Sequence, residues 1–455
     1  MSFNRSKARI AAFSLAVALL MTAGQASAQA PEREQLLNGL RLVLLPRPGS
    51  QDVLIKLRIH SGAAFDLTGK SGQMTLLGDI LFPDRATIEY FTEMNGRLDV
   101  AVNYDSLTVT MDGKAEEFER MLDVLRNALV STQLTPDVVR RIRDARVKII
   151  RDTAISPSIV ADRAVAARLF ADFPYGRPVN GSAEDVLRVD RADLMLARDR
   201  FLNSNNATLT LVGGVTKPRA LRALRQLLGP WEKSERTIPA SFRQSAPPET
   251  YILALDSPGA TNTEVRLAVR GLSRSDNDIV AANALAIIAR DRWQATLPAT
   301  SSASVRHDAH LLPGMFLMSS SVPTASASKA VSAAQDLMRS LAQNGPTVAE
   351  LERARSSLQG ELSKKLSDTE SLAEAWLDVD TFKSPKPDVA ATTIRNLTIS
   401  DVQRVAARLF KDAPVATVVV GNYEELKSAF AGKLEPAVKA PDSKVSVPTL
   451  PLRRP

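Results

Sequence analysis

The sequence predicts an α+β protein made of two tandem, homologous domains, each a mixed or antiparallel sheet flanked by helices. Three observations carry this. The chain has 455 residues, about three times the ~150-residue domain prior, so it can bury more than one sizeable core. A helix-then-strand pattern occurs twice: Asp193-Leu194, Arg200-Phe201 and Ala207 to Gly213 recur as Asp401-Val402, Arg408-Leu409-Phe410 and Ala416 to Gly421. The Thr135 to Arg143 stretch is echoed by Thr347 to Arg355 at nearly the same offset, about 208 to 212 residues, which points to duplication. Between the copies, residues 229–250 carry Pro230, Pro239, Pro247 and Pro248 among polar residues, the composition of an exposed linker.

Taken in order, residues 1–28 read as a secretory signal peptide. Arg5, Lys7 and Arg9 precede an apolar run from Ile10 to Met21, and Ala26-Ser27-Ala28 gives a small-x-small cleavage site. That run is shorter than the roughly 20 residues needed to cross a bilayer, and no later segment is long and apolar enough, so the mature chain is expected in the periplasm or outside the cell. Removing Arg5, Lys7 and Arg9 lowers the formal charge from +8 to +5, so the sequence pI of 9.7 overstates the basicity of the mature protein.

The first domain is expected over residues 31–228. Leu42 to Leu44 and Val53 to Ile59 read as strands around a Pro-Gly turn, with Lys56, Arg58 and His60 alternating outward. Ala115 to Ser131 has helical spacing, with Phe118, Leu122, Leu125 and Leu129 on one stripe, and Thr135 to Arg151 follows as a second helix. The second domain is expected over 251–432, and the Pro-rich residues 433–455 as a disordered tail.

Composition removes several chemistries. With no cysteine, disulfides, thiolate zinc sites and a cysteine nucleophile are excluded. The three histidines are His60, His307 and His310. There is no Gly-x-Ser-x-Gly elbow and no phosphate-cradling glycine loop. Basic residues interleave with acidic ones, and only 5% of residues are aromatic, so nucleic acid is not an expected partner. Nothing fixes six oxygens for a hard-cation site from Asp79, Asp105 and Asp152. His307 and His310 with Asp308, though spaced as on a helix, sit between the extended Ser301 to Val305 and Leu311-Leu312-Pro313-Gly314 and so flank a strand or turn; these residues read as solvated polar groups.

A short β-hairpin opening, a helix with Gly72, Leu77 and Phe82 at five-residue intervals, a strand segment Asn103-Tyr104-Asp105, and tandem α+β halves joined by a linker together resemble the insulinase and pitrilysin family of zinc peptidases, family M16. That family includes the mitochondrial processing peptidases. The likeness covers roughly residues 33–430. Active members carry His-x-x-Glu-His on the first helix, where two His bind zinc and the Glu is the general base. Here Thr75, Gly78 and Asp79 occupy those three positions, and the stretch supplying the later Glu ligand offers Arg151 or Asp152. The family's Arg/Tyr element in the second domain corresponds to Arg290 through His310, which contains no tyrosine.

The resemblance therefore implies a non-catalytic subunit that needs no cofactor of its own. Its partner would be an active, zinc-bearing family member, or a second copy of itself, closing a chamber around a peptide. Extended substrates in this fold add a strand to a sheet edge, which does not require the metal. The expected lining is Asn103, Thr108 and Thr110. The basic helix face of Arg140, Arg143, Arg146 and Lys148 would favour acidic peptides or the partner's surface, or else is simply solvated. The alternatives are a stand-alone peptide-binding or scaffold protein and an active metallopeptidase with unorthodox ligands.

Overall fold

The computed structural model describes residues 30–153, 156–235, 242–243, 245–431, 434 and 438–439. The expected signal peptide lies outside them. In the first half the strands are β1 (Glu32–Gln35), β2 (Arg41–Pro46), β3 (Asp52–Ile59), β4 (Arg97–Val102), β5 (Leu107–Lys114) and β6 (Ala207–Gly213), in spatial order β1-β2-β6-β3-β5-β4. The helices are α1 (Gln73–Leu81), α2 (Arg85–Glu93), α3 (Phe118–Val130), α4 (Pro136–Asp152), α5 (Pro157–Phe170), α6 (Ala183–Leu187), α7 (Arg191–Phe201) and α8 (Lys217–Leu228).

The second half repeats the plan. Its strands are β7 (Ile252–Asp256), β8 (Asn262–Arg270), β9 (Ser302–Asp308), β10 (Met315–Pro323), β11 (Ala416–Gly421) and β12 (Val438–Lys439), in order β12-β7-β11-β8-β10-β9. Its helices are α9 (Ile279–Gln294), α10 (Ala327–Asn344), α11 (Val348–Ser367), α12 (Thr369–Phe382), α13 (Pro387–Asn396), α14 (Ile399–Phe410) and α15 (Tyr423–Ala429). In each sheet the first common strand pairs parallel with the last, β2 with β6 and β7 with β11, and the rest of the shared core is antiparallel. The duplicated sequence pattern is thus α7-β6 and α14-β11. Both helices open on a reciprocal capping box, Asp190 with Asp193 and Thr398 with Asp401, which is why an acid recurs there.

The halves exchange one helix each. Helix α5 of the first half lies on the sheet of the second, packing Val160, Ala161, Ala164 and Leu169 against Leu253, Ala268, Val418 and Val420. Helix α12 of the second half lies on the sheet of the first, with Leu372, Ala373 and Trp376 against Val43, Leu45, Leu54 and Val212.

This exchange overturns the outward reading of β3. Arg58 is 1% exposed and Lys56 is 6% exposed, because α12 covers that sheet face and meets the two cations with Glu370, Glu374 and Asp378. The expected linker and tail each meet the fold at an anchor point. The linker is anchored by Trp231, which is buried and donates its Nε1–H to the Leu202 carbonyl at 3.0 Å. The start of the tail is not free: Leu434 bridges to Ile252 and β12 runs parallel to β7, while the rest of 433–455 lies outside the described residues.

Candidate functional site

Helix α1 carries Thr75, Gly78 and Asp79, the positions that the resemblance matches to the zinc motif. Its N-terminus is fixed from a distance: Asp66 accepts hydrogen bonds from Gly72 N (2.7 Å) and Met74 N (2.8 Å), satisfying donors a helix start leaves open. Burial pushes the Asp66 carboxyl up to about 7, even though those backbone bonds oppose the shift. Gly72 has φ +92°, and a Cβ there would sit 2.8 Å from the Asn180 carbonyl oxygen, so only glycine starts this helix without strain.

None of the three motif positions presents a free donor. Thr75 spends its hydroxyl on the Val179 carbonyl at 2.9 Å. Gly78 lies under the edge strand: a Cβ there would meet Val100 Cγ1 at 3.1 Å and Leu107 Cδ1 at 3.4 Å. Asp79 is gripped from α4 by Arg146, whose Nε reaches Oδ2 at 2.7 Å while a second guanidinium nitrogen binds Oδ1. A bidentate guanidinium occupies both carboxylate oxygens. Zinc needs three protein ligands and an open position, and a threonine, a glycine and an arginine-bound aspartate do not fit it.

The α4 residue opposite Asp79 is therefore Arg146, and not Arg151 or Asp152. Those two lie exposed more than a turn further on, and Asp152 pairs with Lys148 along the helix. Sequence reasoning counted Arg146 only as part of a basic helix face. An acid at a family histidine position, facing an α4 arginine, was the available signal.

The expected peptide-lining residues are placed otherwise. Asn103 shapes the β4–β5 turn, its Oδ1 accepting from Asp105 N and Ser106 N at 2.8 Å each. Thr108 and Thr110 stand on β5, an interior strand, opposite Arg58 and Lys56, and are 8% and 3% exposed. They face the side that α12 covers, so they do not line a sheet edge. The edges of the first sheet are β1 and β4, and the residues of β4 alternate exposed and half-buried, with Leu98, Val100 and Val102 turned inward. The β9 strand is the corresponding edge of the second sheet.

The histidines are all engaged in structure. His60 Nδ1 accepts from Arg41 Nη2 at 2.7 Å, and its Nε2 meets Thr208 Oγ1 at 3.1 Å. Burial, with Arg41 and Arg58 nearby, drives its pKa down to about 3. His307 lies on β9, where its Nε2 accepts from Leu272 N at 2.8 Å, and burial lowers it to about 4. His310 sits beyond that strand with Nδ1 3.6 Å from Asp105 Oδ2, packed against Tyr104 and Tyr175. Burial pushes Asp105 upward, but His310, Leu311 N and Tyr175 outweigh it and hold the carboxyl low. Among the described residues no group of three His, Asp or Glu side chains is placed to hold a metal. Arg292 of the Arg290–His310 stretch is bound to Glu350 at 2.7 and 2.8 Å, pinning α9 to α11.

Comparison with known proteins agrees with this architecture. The family model described as Insulinase (Peptidase family M16) matches residues 41–183, and the one described as Peptidase M16 inactive domain matches residues 188–358. The chain belongs to peptidase family M16. A probable mitochondrial-processing peptidase subunit beta of Schizosaccharomyces pombe is 22% identical over 87% of this chain and 92% of its own length. An uncharacterized zinc protease of Mycobacterium tuberculosis is 23% identical over 85% of this chain and 92% of its own. Among solved structures, a peptidase M16 inactive domain from Pseudomonas fluorescens superposes with a TM-score of 0.78 at 17% identity, covering 86% of this chain and 98% of that one. The periplasmic protease PqqL of Escherichia coli gives a TM-score of 0.74 at 16% identity, covering 90% of this chain but 49% of PqqL.

Proposed function

We propose that this M16 chain is a non-catalytic subunit that pairs with an active, zinc-bearing family member in the periplasm to close a peptide-binding chamber. The observation that carries the reading is the Asp79–Arg146 ion pair: at a position that the resemblance matches to the zinc motif, this chain holds a guanidinium. Its own zinc content is then nil, and the metal belongs to the partner. The pairing is supported by length, because the chain corresponds to about half of PqqL. The location is supported by the expected signal peptide and by the likeness to periplasmic PqqL; no helix among the described residues is long and apolar enough to cross a membrane. The free edge of β4 offers the backbone groups to which an extended peptide adds.

The test uses the mature chain, residues 29–455, alone and co-expressed with an M16 protein of the same cell that has an intact His-x-x-Glu-His. Metal analysis after mild chelation is expected to find no stoichiometric zinc in the chain alone. Size-exclusion chromatography is expected to show a one-to-one complex, with peptide hydrolysis dependent on the partner's zinc motif. One zinc per chain, or hydrolysis by the chain alone, would overturn the reading. A self-dimer with no affinity for the partner would replace it with a stand-alone peptide-binding protein.

A further inference from the structure

The two exchanged helices are related by the duplication but held by different forces. Under α5, sixteen buried apolar residues form one cluster with the second sheet. Under α12 the corresponding cluster has seven, and the rest of the contact is charged. Lys56 Nζ lies 2.9 Å from Glu374 and 3.2 Å from Glu370; Arg58 pairs with Glu374 and, at 2.8 Å, with Asp378; and Arg274 reaches Asp378 at 3.0 Å. Arg41 and Thr208 meet Asp380 at 3.4 and 2.6 Å. The α5 side has fewer ion pairs: Arg266 binds Asp162 and Ser158, while Arg270 reaches the Leu169 carbonyl at 3.2 Å and stacks on the Phe170 ring.

Buried ion pairs are a poor adhesive, because desolvation consumes most of the attraction. This seam also leaves Arg58 Nε, Trp376 Nε1 and Thr381 Oγ1 buried without a hydrogen-bond partner, as the α5 side does Arg168 Nε and Ser319 Oγ. The approach to α12 differs as well. Beyond Leu358 no residue of α11 is fully buried, only Leu362 and Leu366 packing half-buried against the core, and this thinly packed arm hands the chain directly to α12 at Asp368. Gly360 lies in that arm, with nothing within 4 Å of where its Cβ would be. The equivalent end of α4 is also exposed but contains no glycine. Glycine in an exposed helix favours unwinding.

We propose that α12 is an electrostatic latch, hinged on the Gly360 arm, which lifts from the first sheet as a unit while α5 stays seated on the second. The two halves then loosen at one of their two exchanged contacts without the chain unfolding. Ion pairs between the buried Lys56 and Arg58 and the half-exposed Glu370 and Glu374 hold the latch shut, and its opening exposes the face of Lys56, Arg58, Thr108 and Thr110.

The experiment is hydrogen–deuterium exchange with mass spectrometry on the mature full-length chain, comparing wild type, Glu374→Gln and Gly360→Ala. Glu374→Gln leaves Lys56 and Arg58 short of a counter-charge, and is expected to raise exchange at least about tenfold over residues 369–382 and 52–59, with 157–170 unchanged. Gly360→Ala stiffens the arm, and is expected to slow exchange over 361–382 about fivefold, again with 157–170 unchanged. The proposal is overturned if α5 and α12 change together, or if α12 does not respond. Should Glu374→Gln fail to fold, the Gly360→Ala result decides by itself.

Discussion

The Asp79 carboxylate on α1 and the Arg146 guanidinium on α4 form a two-pronged ion pair at a position that the resemblance matches to the zinc motif. Their side chains are 26% and 19% exposed, so each would be left partly desolvated without the other. Arg146→Met is expected to destabilise the mature chain by about 1 to 3 kcal/mol, and Asp79→Leu/Arg146→Met to recover most of that loss. Urea unfolding of the two single variants and the double gives the coupling. A coupling near zero would mean that the pair is a passive surface contact.

The same pair governs whether the metal site can be rebuilt. Thr75→His/Gly78→Glu/Asp79→His restores the motif but leaves a cation facing it from α4. Zinc affinity is expected to be at least about tenfold weaker in that triple variant than after Arg146→Glu is added, since a fixed positive charge opposes the ion and Glu supplies an oxygen ligand. Competition against a chelator measures both. Equal affinities would show that Arg146 swings away and does not guard the position.

Much of the fold could be read from the chain because duplication repeats local rules. The acid that caps α7 and the acid that caps α14 stand at equivalent places, and each precedes an apolar strand that is fully buried. The stripe of Phe118, Leu122, Leu125 and Leu129 is buried as its spacing required. Lys56 and Arg58 misled for a physical reason: alternation distinguishes the two faces of a strand but not what covers the polar one. Here the cover is an acidic helix more than 300 residues away in sequence. Thr108 and Thr110 failed with them, being cross-strand neighbours on that face. Arg146 was missed because a helix bearing six basic residues looks uniformly solvated until its partner helix is placed.

Asn103 has a structural role that substitution can isolate. Its side-chain oxygen holds two backbone N–H groups of the β4–β5 turn, and the neighbouring backbone packs so closely on Gly62 that a Cβ there would lie 2.2 Å from the Asn103 carbonyl oxygen. Asn103→Ala removes the acceptor and is expected to cost about 1 to 3 kcal/mol. Asn103→Asp keeps it and is expected to cost less. Thermal melts of both decide; equal losses would mean that the side chain does not hold the turn.

His60 gives a pH dependence whose sign follows from its surroundings. Its Nδ1 accepts from Arg41, so the proton of the neutral ring sits on Nε2 and is donated to Thr208 Oγ1, which in turn donates to Asp380. Burial and the flanking cations lower the pKa from 6.5 to about 3. Between those values the unfolded chain binds a proton that the folded chain refuses. Its contribution to stability is therefore full above pH 6.5 and is lost as pH falls toward 3. His307, lowered to about 4, acts in the same direction, while Asp66, raised to about 7, acts in the opposite one, so the wild-type curve alone cannot assign the effect. His60→Gln keeps an acceptor for Arg41 and a donor for Thr208 but cannot titrate. Between pH 7 and 4.5 the wild type is expected to lose about 2 kcal/mol more than this variant in urea unfolding. Parallel losses would show that the imidazole takes up its proton inside the fold, and that the Arg41–His60–Thr208 chain opens to admit it.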